Sequence, residues 1–117
     1  MLASLLQKMI RRQERAVGVP LTYLDAVAAH SPGLVAKIGL LGPLGGHRRA
    51  LPVEAKQVAT VRAVLAEDCG ECAQIAVNVA RAEGVSREVL AAVVHGRLAD
   101  LPPRLAAVCR FVDALRD

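Results

Sequence analysis

The sequence predicts an all-α protein, and three observations predict it. No segment of the 117 residues alternates apolar and polar side chains with a period of two, and no turn signals a hairpin. Apolar residues recur instead three and four apart, in stretches bounded by Gly, Pro and capping residues. The apolar surface comes from Ala, Val and Leu: 54% of the chain is hydrophobic but only 2% aromatic, which suits closely packed helices. At this length one core is expected, and so a single domain overall. A mean hydropathy of +0.37 is high for a small monomer and points to a homo-oligomer that covers the excess apolar surface.

The first helix carries Leu2, Leu5, Leu6, Met9, Ile10, Gln13 and Val17 at helical spacing, with Lys8, Arg11, Arg12 and Arg15 mostly on other faces; Gly18 and Pro20 end it. Its apolar stripe lacks the aromatic anchor of a membrane-surface helix, so docking on its own domain or on a neighbouring subunit is expected. Thr22 is placed to cap a short helix that runs to His30 and closes at Ser31, Pro32 and Gly33. Another short helix covers about residues 34–41. It gives way to "GPLGGHRR" (42–49), which reads as a loop and a hinge. The chain accordingly divides into an N-terminal docking segment, residues 1–46, and a helical core, residues 47–117.

Pro52 fits the first turn of the next helix and Glu54 its positive end; Val53, Gln57, Val58, Val61, Val64 and Leu65 continue it to Ala66. Asp68 and Glu71 have the spacing of a capping box, with Asp68 as N-cap of a helix whose buried face is Cys72, Ile75, Ala76 and Val79 and which Gly84 closes. Ser86 caps a helix bearing Val89, Leu90, Val93 and Val94. Asp100, Pro102 and Pro103 start the last one, with Leu105, Val108, Cys109, Val112 and Leu115 as its buried stripe. Six or so helices result.

Net charge is 15 − 11 = +4, with Lys8, Arg11, Arg12 and Arg15 clustered near the start. Nucleic-acid binding asks for a broader basic surface or stacking aromatics, and the chain has one Tyr and one Phe, so no nucleic-acid partner is expected. No uncharged run reaches the ~20 residues of a membrane span. Leu2, Leu5 and Leu6 precede the first positive charges, the reverse of a signal peptide, so a cytoplasmic location is expected. In that reducing compartment a Cys-x-x-Cys pair is more often catalytic or metal-binding than a structural disulfide.

The pair lies in "EDCGECAQIAVNVARAEG" (67–84). With Asp68 as N-cap, Cys69 falls at N1 and Cys72 at N4, close enough for their sulfurs to meet. The positive end of the helix favours a thiolate, whereas Glu67, Asp68 and Glu71 oppose it. Zinc needs about four ligands. There is no second Cys-x-x-Cys, Cys109 sits in an apolar stripe, and His30, His47 and His95 are scattered, so no metal is expected. Plain packing of the thiols is the competing reading.

"LAEDCGECAQIAVNVARAEGV" (65–85), preceded by "LPVEAKQVATVRAV" (51–64), resembles the carboxymuconolactone decarboxylase and AhpD-like alkylhydroperoxidase superfamily, most closely over residues 51–98. The resemblance implies an AhpD-like helical bundle assembled as a trimer or a multiple of it, with no metal or organic cofactor. It implies a signature Cys-x-x-Cys-x-x-x-His with a glutamate a dozen residues upstream. The second cysteine attacks peroxide, the first resolves it as a disulfide, and a Glu/His relay moves protons. Carried over, Cys72 is the peroxidatic thiol and Cys69 the resolving one, while the relay positions fall on Ala76 and Gln57. Glu54, His47 or His95 would have to supply the missing relay, and Glu71 and Gln74 would line the site. The function implied is that of an antioxidant dithiol protein, reducing peroxides or disulfides at low efficiency. A protein reductant or a small thiol would recharge it. The alternative is a non-enzymatic oligomeric binding or assembly module; a third reading is decarboxylation of a carboxymuconolactone-like acid.

Overall fold

The computed structural model describes residues 1–116, apart from the side chains of Leu2 and Ala3. The chain forms two compact units, Met1–Arg49 and Ala50–Asp117. The first holds α1 (Leu2–Val17), α2 (Thr22–His30) and α3 (Pro32–Gly46). The second holds α4 (Val53–Ala66), α5 (Gly70–Ala82), α6 (Arg87–Val94), a 3₁₀ turn (Leu98–Asp100) and α7 (Pro103–Ala114). No strand occurs among the described residues, so the all-α expectation holds, with seven α-helices among them rather than six.

In the first unit, α1 buries Leu6, Ile10 and Val17 and leaves Leu5 and Met9 exposed. Gly18 takes the left-handed conformation (φ 71°) and returns its N–H to the Glu14 carbonyl, the usual way to stop a helix. Thr22 is not the cap of α2: Leu21 holds that position and Thr22 is the first helical residue. The reason is Glu14, whose Oε1 accepts the Leu21 N–H at 2.8 Å and so does the work of a capping side chain. The same contact, with Arg11 donating to Glu14 at 2.8 Å, holds the Glu14 carboxyl below its ordinary range. Nor are residues 42–46 a loop, because α3 starts at Pro32 and runs through Pro43 to Gly46. An internal proline costs the bond to the carbonyl four residues back, here Gly39, and that stretch is exposed, where the carbonyl is open to solvent.

In the second unit α4 is the central element and packs against α5, α6 and α7. Val58, Val61, Val93, Leu105 and Cys109 are the largest fully buried side chains of this unit. Burial holds the Cys109 thiol above its ordinary pKa, as befits a core residue. Ser86 caps α6 as expected, its Oγ accepting the Val89 N–H at 3.2 Å. The expected stripes hold at Ala76, Leu90, Val93, Leu105, Cys109 and Val112, which are buried, and fail at Cys72, Val94 and Leu115, which are exposed. Ala76 and Ala80 face inward from α5 and Ala92 joins Leu90 and Val93 on α6. Val94 is 40% exposed, and Leu115, just past the end of α7, is 71% exposed. Small alanines at the interior positions let these helices approach closely, which periodicity of large apolar residues does not reveal. Arg62 of α4 grips Asp113 of α7 through two bonds of 2.7 and 2.9 Å. No helix is long and apolar enough to cross a membrane.

Candidate functional site

Helices α4 and α5 form a hairpin, and the candidate site is its turn. After Ala66 the chain must reverse within a few residues. Asp68 makes the reversal with φ 52°, the only non-glycine left-handed residue among those described. Asp tolerates this region better than most side chains, because its short carboxylate can bond locally. The turn sets Cys69 in an extended conformation as the N-cap of α5, its sulfur accepting the Cys72 N–H at 3.3 Å. The expected capping box is therefore absent. Asp68 is spent on the reversal, Cys69 caps the helix rather than occupying N1, and Cys72 lies at N3 rather than N4.

Cys69 and Cys72 are joined by a disulfide with Cα atoms 5.3 Å apart, inside the ordinary range for such a bond. Cys72 is exposed and Cys69 half-buried. Glu67, Asp68 and Glu71 ring this turn on the exposed side, where water and salt weaken their opposition to a thiolate. Glu71 stands in the first turn of α5, where a carboxylate favours the helix.

The other sequence-predicted residues are engaged elsewhere. Gln57 is only 3% exposed, and its Nε2 donates to Glu83 Oε2 at 2.6 Å. Glu83 caps the C-terminus of α5, eleven residues (83 − 72) beyond Cys72, which is roughly 16 Å of helix rise. Gln57 thus lies toward the open end of the hairpin, away from the sulfurs. Glu54, a turn earlier, faces Arg104 at 3.7 Å. Gln74 donates to Asn78 at 2.9 Å along the exposed side of α5. Ala76, on which the family histidine falls, is buried in the core at 6% exposure. His95 follows the end of α6 and lines a cleft with Val77 and Arg81. His47 follows α3 in the first unit and is exposed. Glu83 escaped sequence reasoning; its place just before Gly84 was the available local signal, and the hairpin register that brings it to Gln57 left none. Among the described residues no three His, Cys, Asp or Glu side chains converge as metal ligands.

A helical hairpin with a cysteine pair bridging the first turn of its second helix defines an all-α dicysteine protein. Residues 40–114 match the carboxymuconolactone decarboxylase family, and the chain belongs to that family. The match takes in the end of α3 and the whole of α4 to α7. No curated protein and no solved structure matches the chain.

Proposed function

We propose that the chain is a thiol–disulfide redox protein that reduces peroxides or disulfides through Cys69 and Cys72. The observation that carries this reading is the bridge across the first turn of α5, with Cys72 exposed to an incoming reactant. An external thiolate attacks Cys72 Sγ, the S–S bond breaks, and Cys69 leaves as a thiolate. The Cys72 N–H and the positive end of α5 stabilise that leaving group. A second thiolate attacks the mixed disulfide and frees Cys72, so two electrons have entered and the dithiol takes up two protons. With peroxide, the Cys72 thiolate attacks one oxygen, the O–O bond breaks, and an alcohol or water departs with a proton. The resulting sulfenic acid is attacked by the Cys69 thiolate, and hydroxide leaves as water.

Gln57 and Ala76 supply no base beside Cys72, so the rate depends on its own thiolate fraction, which supports low efficiency. The scheme needs no metal or organic cofactor. It needs a reductant, a protein dithiol or a small thiol, of the kind a reducing cytoplasm supplies. Exposed Phe111 and Leu115 border an apolar groove of about 700 Å³ between α4 and α7, and Leu40 and Leu44 are exposed in the first unit. These surfaces support a homo-oligomer, a trimer or a multiple of it by family, with residues 1–46 as a docking segment and residues 47–117 as the helical core.

A non-enzymatic assembly module is the second reading, and buried Ala76 at the relay position favours it. Intact-mass analysis after one equivalent of hydrogen peroxide separates the two. The redox reading expects rapid loss of two hydrogens from the reduced chain, mapped to Cys69–Cys72 and reversed by a dithiol. Thiols that stay reduced would end it.

A further inference from the structure

A second site lies between α5 and α6, away from the disulfide. Both helices pack on α4, and a cleft of about 210 Å³ remains between them. Arg81, Arg87 and His95 line it above Val77, Leu90 and Val94, and no carboxylate is among its lining residues. Among the described residues, three arginines of this unit meet acids, Arg62 with Asp113, Arg97 with Asp100 and Arg104 with Glu54, and none of those three lines this cleft. Arg81 and Arg87 have no such partner, although both are exposed and their side chains are long. Arg81 is in the last turn of α5, a favourable place for a cation. Arg87 is not so placed. It is the first residue of α6, where the helix field is positive and a cation costs stability. Arg87 also borders the neighbouring cleft lined by Glu88 and Asp100 but is ion-paired to neither, so this slot is lined by two guanidinium groups and no carboxylate. Such local conflict with helix rules is expected where a ligand, not the fold, is served.

We propose that this cleft binds a small organic acid, with one carboxylate on an apolar body. Guanidinium forks suit a planar carboxylate, which takes two parallel hydrogen bonds. The apolar body would cover Val94, which helical spacing assigns to the core but which stands exposed in the cleft. From Arg87 to His95 the axis of α6 rises about 12 Å, room for a chain of about six carbons. The site does not depend on the redox reading, since none of its residues belongs to the cysteine turn.

The test is an amide chemical-shift titration of the oxidised full chain with hexanoate, hexanamide, adipate and inorganic phosphate. Saturable shifts for hexanoate at Val77, Arg81, Arg87 and His95 are expected, with hexanamide and phosphate weaker by about tenfold or more, the loss of a charge-assisted or an apolar contact. Arg87→Gln should weaken hexanoate by a similar factor and Arg97→Gln should leave it unchanged, the spectra themselves reporting that both variants are folded. Hexanamide or phosphate binding as tightly as hexanoate would overturn the proposal. So would adipate binding more tightly, an unaffected Arg87→Gln, or shifts confined to other surfaces. The disulfide stays closed throughout, so failure here leaves peroxide chemistry untouched.

Discussion

At its turn the α4/α5 hairpin exposes Cys72 and leaves Cys69 half-buried; toward its open end the same two helices bury Gln57 against Glu83. The turn is made of short-range geometry: a left-handed Asp68, an N-capping sulfur, and a bond between residues three apart. The open end is made of long-range packing, a contact between residues 26 apart in sequence. On the proposed redox reading, chemistry and structure therefore fall at opposite ends of one supersecondary element. Gln57 falls on the family's relay position, yet it acts as a hydrogen-bond donor that secures the end of α5.

Cys72→Ser tests this division most severely. It should abolish both the loss of two hydrogens on oxidation and dithiol-coupled peroxide consumption, with the melting curve of the reduced protein little changed. Gln57→Ala should do the reverse, leaving consumption within about threefold and lowering stability by about 1–3 kcal/mol for a buried, charge-assisted hydrogen bond. Should Gln57→Ala silence the thiols instead, the two ends would be one site.

Gln57→Glu installs the glutamate that the resemblance implies at this position and sharpens the same contrast. It sets a second carboxylate against Glu83, with the new one buried, so its pKa must rise. A raised carboxyl contributes most below its unfolded value of about 4.3. That contribution disappears as pH climbs through the folded value. Urea melts should show the variant near wild type at pH 4 and about 2 kcal/mol weaker at pH 7. Peroxide consumption should not improve, because position 57 bonds Glu83, which stands roughly 16 Å of helix rise from Cys72. An increase beyond tenfold would mean that the relay forms after all.

Much of this is legible in the sequence alone. The helices, the glycine stops at 18 and 84, the Ser86 cap and the dicysteine are local signals, and local signals are what a single sequence carries. The capping box was misread because Asp-x-x-Glu fits a helix start equally well one residue later, and only the need to reverse the chain gives Asp68 its left-handed role. The helical run through Pro43 was invisible for the opposite reason: a proline and four glycines within 39–46 signal a break, yet exposure makes the break unnecessary. The Gln57–Glu83 contact depends on hairpin register, which spacing within one helix does not encode.

Asp68→Val probes the turn itself at a smaller scale. A β-branched residue in the left-handed region costs about 1–2 kcal/mol, and Asp68→Gly should be neutral or slightly stabilising. Because Asp68 sets the position of Cys69, disulfide closure in the valine variant should slow along with the loss of stability. Unchanged closure, followed by rapid-quench alkylation, would show that the cysteines find each other without the turn.

The smallest effect comes from Arg62, which lies on α4 between the two ends and grips Asp113 with both partners partly exposed. The bond to Arg62 holds the Asp113 carboxyl below its ordinary range. A depressed carboxyl contributes its stability above the unfolded pKa of about 3.9 and loses it as pH falls through the lower folded value. Asp113→Asn should therefore cost about 1 kcal/mol at pH 7, the partial exposure keeping the figure modest. The gap from wild type should close as pH falls below the folded value. Thiol oxidation should be indifferent to it at every pH. If the variant oxidised at a different rate while remaining folded, strain would be passing from the α4/α7 contact to the turn, and the separation of chemistry from scaffold along this hairpin would fail.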